Sequence, residues 1–209
     1  MFPALYAILD PSLISIPVVQ FAENLAGAGV RLMQLRDKRS TAAQLFAESR
    51  DLASALVPAD VKFIVNDRPD VAAIAGASGV YVGQDDLSVE DTRRIVGVGA
   101  WVGVSTHNAE QFRVAAATSA DYIAVGPIFP TASKENTDPV VGLALLREVR
   151  ALTSKPIVAI GGITIDRAEE VFRAGADSVA VIRGLICAED PSDRAKEYLA
   201  VAKAAGVER

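Results

Sequence analysis

The sequence predicts an α/β fold: a TIM (β/α)8 barrel built as a single domain from residues 1–209. Three observations lead there. Short apolar runs alternate with longer segments of helical periodicity along the whole chain. There are eight such runs, and 209 residues leave about 26 for each strand–helix unit, the size of a minimal repeat in a barrel of eight. A small-residue punctuation also recurs. Ala26-Gly27-Ala28-Gly29, Ala75-Gly76-Ala77-Ser78-Gly79 and Ala174-Gly175-Ala176-Asp177 each close a helix and open a strand, and Thr118-Ser119-Ala120-Asp121 stands in the equivalent place without glycine. These mark the entries to strands two, four, six and eight. Each strand is followed by a crossover helix, so the strands are expected to be parallel. A doubly wound open sheet is the alternative. No composition shift or Ser/Gly-rich linker marks a second domain.

The strand candidates are Leu5–Leu9, Arg31–Leu35, Phe63–Val65, Val80–Val82, Trp101–Val104, Tyr122–Val125, Ile157–Ile160 and Ser178–Val181. They are near-continuous apolar runs, as strands buried on both faces should be, and a 51 % hydrophobic content can cover them. In the first helix Val18, Phe21, Ala22 and Leu25 form a stripe. In Thr41–Leu56 the stripe is Ala42, Leu45, Phe46, Ser49, Leu52, Ala53 and Leu56, with Glu48, Arg50 and Asp51 mostly off it. The last helix is expected from an N-cap at Ser192 to about Ala205, before Gly206.

Composition excludes several classes. Net charge is −5 and the isoelectric point about 5.0, with no long Lys/Arg run, which argues against a nucleic-acid partner. Cys187 is the only cysteine, so no intrachain disulfide can form and a cytoplasmic location is expected. The start, Met1-Phe2-Pro3-Ala4-Leu5-Tyr6, lacks a basic segment followed by an apolar core, and no apolar run reaches the roughly 18 residues of a membrane span. Small-molecule substrates are the expected partners. The sequence leaves open whether the chain forms a homo-oligomer.

In such a barrel the chemistry gathers at the C-terminal ends of the strands. Strand two exits into Gln34-Leu35-Arg36-Asp37-Lys38, where alternation puts Gln34, Arg36 and Lys38 on one side. Two cations and an amide suit an anionic, hydrogen-bonding ligand. Strand three exits into Asn66-Asp67, and strand four into Gly83-Gln84-Asp85-Asp86. Parallel neighbours lie roughly 4.8 Å apart, so carboxylates at these two ends can share one cation, and such oxygen ligands suit Mg2+ completed by phosphate. The alternative for each aspartate is a helix cap: Asp67 before Arg68-Pro69, Asp85 or Asp86 near Ser88. Strand five exits into Ser105-Thr106-His107-Asn108; Thr106 to Asn108 fit a helix start, and Ser105 is the first polar side chain after Val104.

Strand six is stopped by a glycine and two prolines in Gly126-Pro127-Ile128-Phe129-Pro130-Thr131-Ala132-Ser133-Lys134, a stiff exit that delivers two hydroxyls and an ammonium into a loop. Strand seven exits into Gly161-Gly162-Ile163-Thr164 and strand eight into Ile182-Arg183-Gly184, the positions where backbone N–H groups often hold a phosphate. Two anion sites at one mouth result. Arg36, Lys38, a metal at Asp67 and Asp86, and Lys134 suit a diphosphate leaving group. Thr131, Ser133, the Gly162 backbone and the turn at Arg183 suit a monophosphate. No residue at the mouth is an obvious nucleophile or strong base.

These motifs, in this order and over nearly the whole chain from Leu5-Tyr6-Ala7-Ile8-Leu9-Asp10 to the last helix, resemble the thiamine-phosphate synthase (thiamine-phosphate pyrophosphorylase) family. The resemblance implies a transferase that joins 4-amino-5-hydroxymethyl-2-methylpyrimidine diphosphate to a thiazole phosphate, giving thiamine phosphate and pyrophosphate. It implies a dissociative substitution in which the diphosphate leaves before the thiazole nitrogen attacks, with Mg2+ as cofactor. By the family pattern Gln34, Arg36, Lys38, Asn66, Ser105 and Lys134 hold the pyrimidine diphosphate, with Ser105, Lys134, Arg36 and Lys38 as the catalytic group. Asp67 and Asp86 bind the metal, and Thr131, Ser133, Gly162, Ile182 and Arg183 hold the thiazole phosphate. The chain departs from the pattern at Ser133, where many members have threonine, and at Arg183, where many have serine. Asp85 leaves the metal ligand open by spacing alone; the family pattern favours Asp86.

The nearest rival is the thiazole tautomerase or regulatory type of the same fold, which uses a histidine near the end of strand five, where His107 stands. The complete Gln34, Arg36 and Lys38 set argues against it, since a tautomerase ejects no diphosphate. A non-catalytic regulator should have lost metal or leaving-group residues, and a sugar-phosphate epimerase or indole-type lyase needs acid–base residues at the strand ends.

Overall fold

Strands that are apolar on both faces need cover on both, and a closed ring of strands inside a ring of helices supplies it. The computed structural model, which describes residues 2–131 and 139–207, has that arrangement. The strands are β1 (Leu5–Leu9), β2 (Leu32–Leu35), β3 (Lys62–Asn66), β4 (Gly79–Val82), β5 (Trp101–Thr106), β6 (Tyr122–Val125), β7 (Ile157–Ile160) and β8 (Ser178–Val181). The helices are α1 (Val18–Gly27), α2 (Ala42–Leu56), α3 (Pro69–Ala75), α4 (Val89–Val96), α5 (Ala109–Ala117), α6 (Gly142–Arg150), α7 (Ile165–Arg173), α8 (Arg183–Ile186) and α9 (Pro191–Ala204). All strand pairs are parallel and follow chain order. β1 pairs with β2 through Tyr6 and Leu32, and with β8 through Tyr6 and Ala180, so the sheet has no edge and the open-sheet alternative is excluded.

Alternation sorts the side chains. Leu5, Ala7 and Leu9 of β1, with Met33, Leu35, Phe63 and Val65, point outward and pack under the helices. Tyr6, Ile8, Leu32, Ile64, Tyr81, Tyr122, Ala124, Val158 and Ala180 fill the interior. Tyr122 occupies its centre, 5.9 Å edge-on to Tyr6 and 6.2 Å from the Tyr81 ring. Phe2, stacked on Trp101 at 5.3 Å, closes the base beneath it. Room for the Tyr122 ring comes from Gly103, where a Cβ would sit 2.1 Å from it. Gly103→Ala is therefore expected to destabilise the fold by about 1–3 kcal/mol, a Tm loss of roughly 2–12 °C. An unchanged Tm in thermal unfolding would show that the interior has slack.

The recurrent punctuation has a physical role. Ser78 Oγ accepts a hydrogen bond from the Phe63 N–H at 3.1 Å. Asp121 Oδ2 accepts one from the Val102 N–H at 2.7 Å, and Asp177 Oδ2 one from the Ile157 N–H at 2.7 Å. Each ties a strand entry to the start of a neighbouring strand. Arg93 and Arg150 complete the two aspartate ties.

Besides one-residue shifts at the ends of β2, β3 and β4, two boundaries differ from the sequence expectation. β5 runs past Val104, with Ser105 and Thr106 opposite Ala124 and Val125, so Ser105 is a strand residue. The last helix is capped by Asp190 rather than Ser192. The Asp190 carboxylate accepts from the N–H groups of Ser192 and Asp193, and Pro191 takes the first helical position, where its missing N–H costs nothing.

Candidate active site

The inward residues of the topmost layer follow from register. Gln34 lies opposite Ile8 and Ile64, Asn66 opposite Tyr81, and Ser105 opposite Ala124. Gln34 is 1 % exposed, and its amide donates to the Tyr6 hydroxyl at 2.6 Å. Tyr6 in turn lies 2.9 Å from the Tyr122 hydroxyl. Burial raises the phenol pKa of Tyr6 and Tyr122 well above the ordinary value and that of Tyr81 to about 12. All three stay neutral at physiological pH, so this polar chain orients Gln34 and supplies no base.

Arg36 is pinned from β1. Its Nη1 is 3.8 Å from Asp10 Oδ2, and both side chains are largely buried. The other Asp10 oxygen caps the short turn Pro11–Leu13 through the Ser12 N–H and hydroxyl. Lys38 reaches across to β3, with Nζ 3.5 Å from Asp67 Oδ2.

Asp67 is not a helix cap. Arg68 holds the cap position of α3, and Asp67 sits in the left-handed region at φ 62°, which aspartate tolerates better than most residues. Burial is the main effect raising its carboxyl pKa; the nearby charge of Asp86 adds to the rise, and Lys38 opposes it. Asp86 Oδ2 accepts from the Gly83 N–H at 2.7 Å. Neither Asp85 nor Asp86 caps α4; that is Ser88. Asp86, rather than Asp85, is thus the carboxylate whose charge acts on Asp67. Two neighbouring carboxylates present hard oxygen donors to a cation. Among the described residues no group of three or more His, Cys, Asp or Glu gathers, so a cation here needs further oxygens, which fits Mg2+ completed by phosphate and water.

Ser105 is 4 % exposed, with its carbonyl held by the Gln84 amide at 2.6 Å and its hydroxyl 3.4 Å from His107 Nε2. The buried Tyr81 hydroxyl faces Ser105 too loosely for a hydrogen bond of normal geometry.

On the opposite side of the mouth, the exit of β6 folds onto that of β7. Ile128 and Phe129 donate to the carbonyls of Ile160 and Gly161 at 2.9 and 3.0 Å. A Cβ on Gly162, at φ 64°, would meet the Pro130 carbonyl at 2.4 Å. The Gly161-Gly162 pair is therefore required for this backbone approach as well as for any anion. Arg167 covers the Phe129 ring at 4.6 Å. Thr131 and Ile182 are half-buried, while Arg183 is the exposed first residue of α8. Ser133 and Lys134 lie outside the described residues.

The structure thus groups Gln34, Arg36, Lys38, Asn66, Asp67, Asp86 and Ser105 on the exits of the four adjacent strands β2 to β5, and Thr131, Gly162, Ile182 and Arg183 on those of β6, β7 and β8. A sequence model of thiamine monophosphate synthase matches residues 5–185 of the chain. The chain belongs to the thiamine monophosphate synthase family. The thiamine-phosphate synthase of Koribacter versatilis (strain Ellin345) is 50 % identical over 206 residues, 95 % of each chain. That of Methanospirillum hungatei JF-1 is 39 % identical over 180 residues, 86 % of this chain and 87 % of the relative. The thiamine phosphate pyrophosphorylase structure from Pyrococcus furiosus superposes with a TM-score of 0.88 at 30 % identity, covering 97 % of this chain and 96 % of that one. Both the family and the barrel expected from the sequence are borne out.

In this family member the sequence reading missed the residues that hold the site rather than line it: Asp10 on Arg36, Tyr6 on Gln34, Gln84 on Ser105 and Arg167 on Phe129. Asp10 and Gln84 stand at strand exits, which was a usable signal. Tyr6 and Arg167 carried none, because their partners, on the neighbouring β2 and on the exit of β6, are fixed only by packing between elements.

Proposed function

We propose that this chain is a thiamine-phosphate synthase that couples 4-amino-5-hydroxymethyl-2-methylpyrimidine diphosphate to a thiazole phosphate, releasing pyrophosphate. The observation that carries this reading is the cluster at the exits of β2, β3 and β4: Arg36 and Lys38 beside the neighbouring carboxylates Asp67 and Asp86. A tautomerase has no use for two cations and a paired carboxylate site. Gln34, Asn66 and Ser105, which line the floor next to this cluster, hold the pyrimidine ring. Arg36 and Lys38, with Lys134 by the family resemblance, bind the diphosphate.

Asp67 and Asp86 would hold Mg2+, which supplies charge neutralisation on the departing diphosphate. The C–O bond between the pyrimidine methylene and the diphosphate breaks, and its electron pair leaves with pyrophosphate. The thiazole nitrogen then donates its lone pair to the methylene cation. No proton has to move, which suits a mouth whose three phenols stay neutral. The second substrate is held by Thr131, the Gly162 backbone, Ile182 and Arg183, with Ser133 by resemblance. The barrel's part is to fix two substrates in line and exclude water between them. A cytoplasmic location fits the exposed, unpaired Cys187.

The test is to mix the purified protein with both substrates and Mg2+ and quantify products. Thiamine phosphate and pyrophosphate in equal amounts are expected. Thiazole isomerisation without pyrophosphate release would overturn the reading in favour of a tautomerase.

A further inference from the structure

We propose that Tyr81 is a further substrate-binding residue, whose hydroxyl donates a hydrogen bond to a ring nitrogen of the heteroaromatic substrate on the floor of the mouth. The inference rests on the synthase reading above and adds a specificity contact to it. The chain has four tyrosines, and all lie among the described residues. Tyr6 and Tyr122 bond to each other, Tyr6 also accepts from Gln34, and Tyr198 donates to the Ile163 carbonyl at 3.2 Å. Tyr81 is 8 % exposed, and no protein group meets its buried hydroxyl in hydrogen-bond geometry. A buried hydroxyl left in this way weakens the free fold, so its retention calls for a partner from outside the chain.

The backbone says where that hydroxyl points. Tyr81 lies on β4 between Asn66 of β3 and Gly103 of β5, with its side chain turned inward. Its ring runs parallel to that of Tyr122 at 6.2 Å, with 14° between the planes, which fixes the ring against the interior. The polar groups that act on the hydroxyl are Ser105 and Asp67, which stand beyond Gly103 and Asn66 toward the strand exits. The hydroxyl thus rises toward the mouth instead of joining the Tyr6–Gln34 chain.

Chemistry selects the ligand atom. Burial keeps the phenol protonated, so it offers a donor throughout the physiological range. The nearby Asp67 carboxylate disfavours a bare anion at this spot, and Lys38, a cation for the diphosphate, stands further out and exposed. A neutral acceptor in a flat ring suits the position, and an aminopyrimidine carries such nitrogens. Gln34 and Ser105 border the same floor, and their oxygens can accept from the amino group of that ring. A site built this way discriminates against a ring without the acceptor, because the phenol would then stay buried and unpaired.

Tyr81→Phe removes one oxygen and keeps the ring, so it isolates the contact. Two measurements on the full chain read it. In thermal unfolding without ligand, Tyr81→Phe should have a Tm equal to or above that of the wild type, because no internal hydrogen bond is lost. Tyr6→Phe is the contrast: it strips a bonded hydroxyl from Gln34 and Tyr122 and should lower the Tm by about 3–8 °C. In calorimetric titration with Mg2+ and no thiazole phosphate, Tyr81→Phe should bind the pyrimidine diphosphate about tenfold more weakly than the wild type. Its affinity for pyrophosphate alone should stay within about twofold, since the hydroxyl faces the ring. Unchanged affinity for the pyrimidine diphosphate would overturn the proposal, as would an equal loss for pyrophosphate. A lower Tm of the free Tyr81→Phe protein would overturn it too, by showing the hydroxyl bonded within the fold. A wild type that binds pyrophosphate but neither binds the pyrimidine diphosphate nor makes thiamine phosphate would bring down the synthase reading, and this assignment with it.

Discussion

Asp67→Asn is expected to abolish synthase turnover, by about 100-fold or more, while leaving the Tm equal to or above that of the wild type. The two halves of this result have one cause. Burial and the Asp86 charge disfavour the Asp67 anion, and Lys38 offsets them only in part, so the folded carboxyl has a raised pKa. The stability contribution of such a group is fully present below the unfolded pKa of about 3.9 and is lost as pH rises through the raised folded value. At pH 7 the anion is thus a liability to the free fold, and asparagine removes it. The same anion is what a magnesium diphosphate needs. Steady-state rates and thermal unfolding in EDTA check both halves. A Tm several degrees lower, or near-normal turnover, would contradict the account.

Lys38→Ala is the second large effect. Lys38 is 58 % exposed, and an ion pair at 3.5 Å with a partly exposed carboxylate contributes little to stability, so the Tm should stay within about 2 °C. Turnover should fall roughly 10²–10³-fold, since an ammonium placed for a departing diphosphate matters most when its charge develops. The loss should therefore appear in kcat more than in KM. A rise in KM with kcat preserved would make Lys38 a docking charge and move leaving-group stabilisation elsewhere.

Much of the barrel was legible because its strands are short apolar runs with polar exits, and because the exits carry the chemistry. Gln34, Arg36 and Lys38 could be placed on one side by alternation, and Asp67 and Asp86 together by the adjacency of β3 and β4; Asn66 and Ser105 were assigned through the family resemblance. Asp67 shows where local reasoning stops. Arg68-Pro69 suggested a cap at Asp67, but the residue before proline avoids the helical region, so Arg68 takes φ −118° and ψ 81° and becomes the cap itself. The turn is thereby forced onto Asp67, whose left-handed backbone leaves its carboxylate with Lys38 and Asp86 rather than on α3. Gly162 shows another limit. Its glycine suggested anion binding, and the backbone of Pro130 now supplies a separate reason for it. Tyr6 and Tyr122, 116 positions apart, meet only because β1 and β6 face each other across the closed interior.

The central claim is that Asp67 and Asp86, with Arg36 and Lys38, form a metal-dependent diphosphate site. Thermal unfolding with saturating pyrophosphate tests it most directly, with Mg2+ present or removed by EDTA. The wild type should gain roughly 5–10 °C with both ligands present, as expected at about 100 times the dissociation constant, and little with pyrophosphate in EDTA. Asp67→Asn should gain little in either condition. An equal gain by the wild type with and without Mg2+ would contradict the claim.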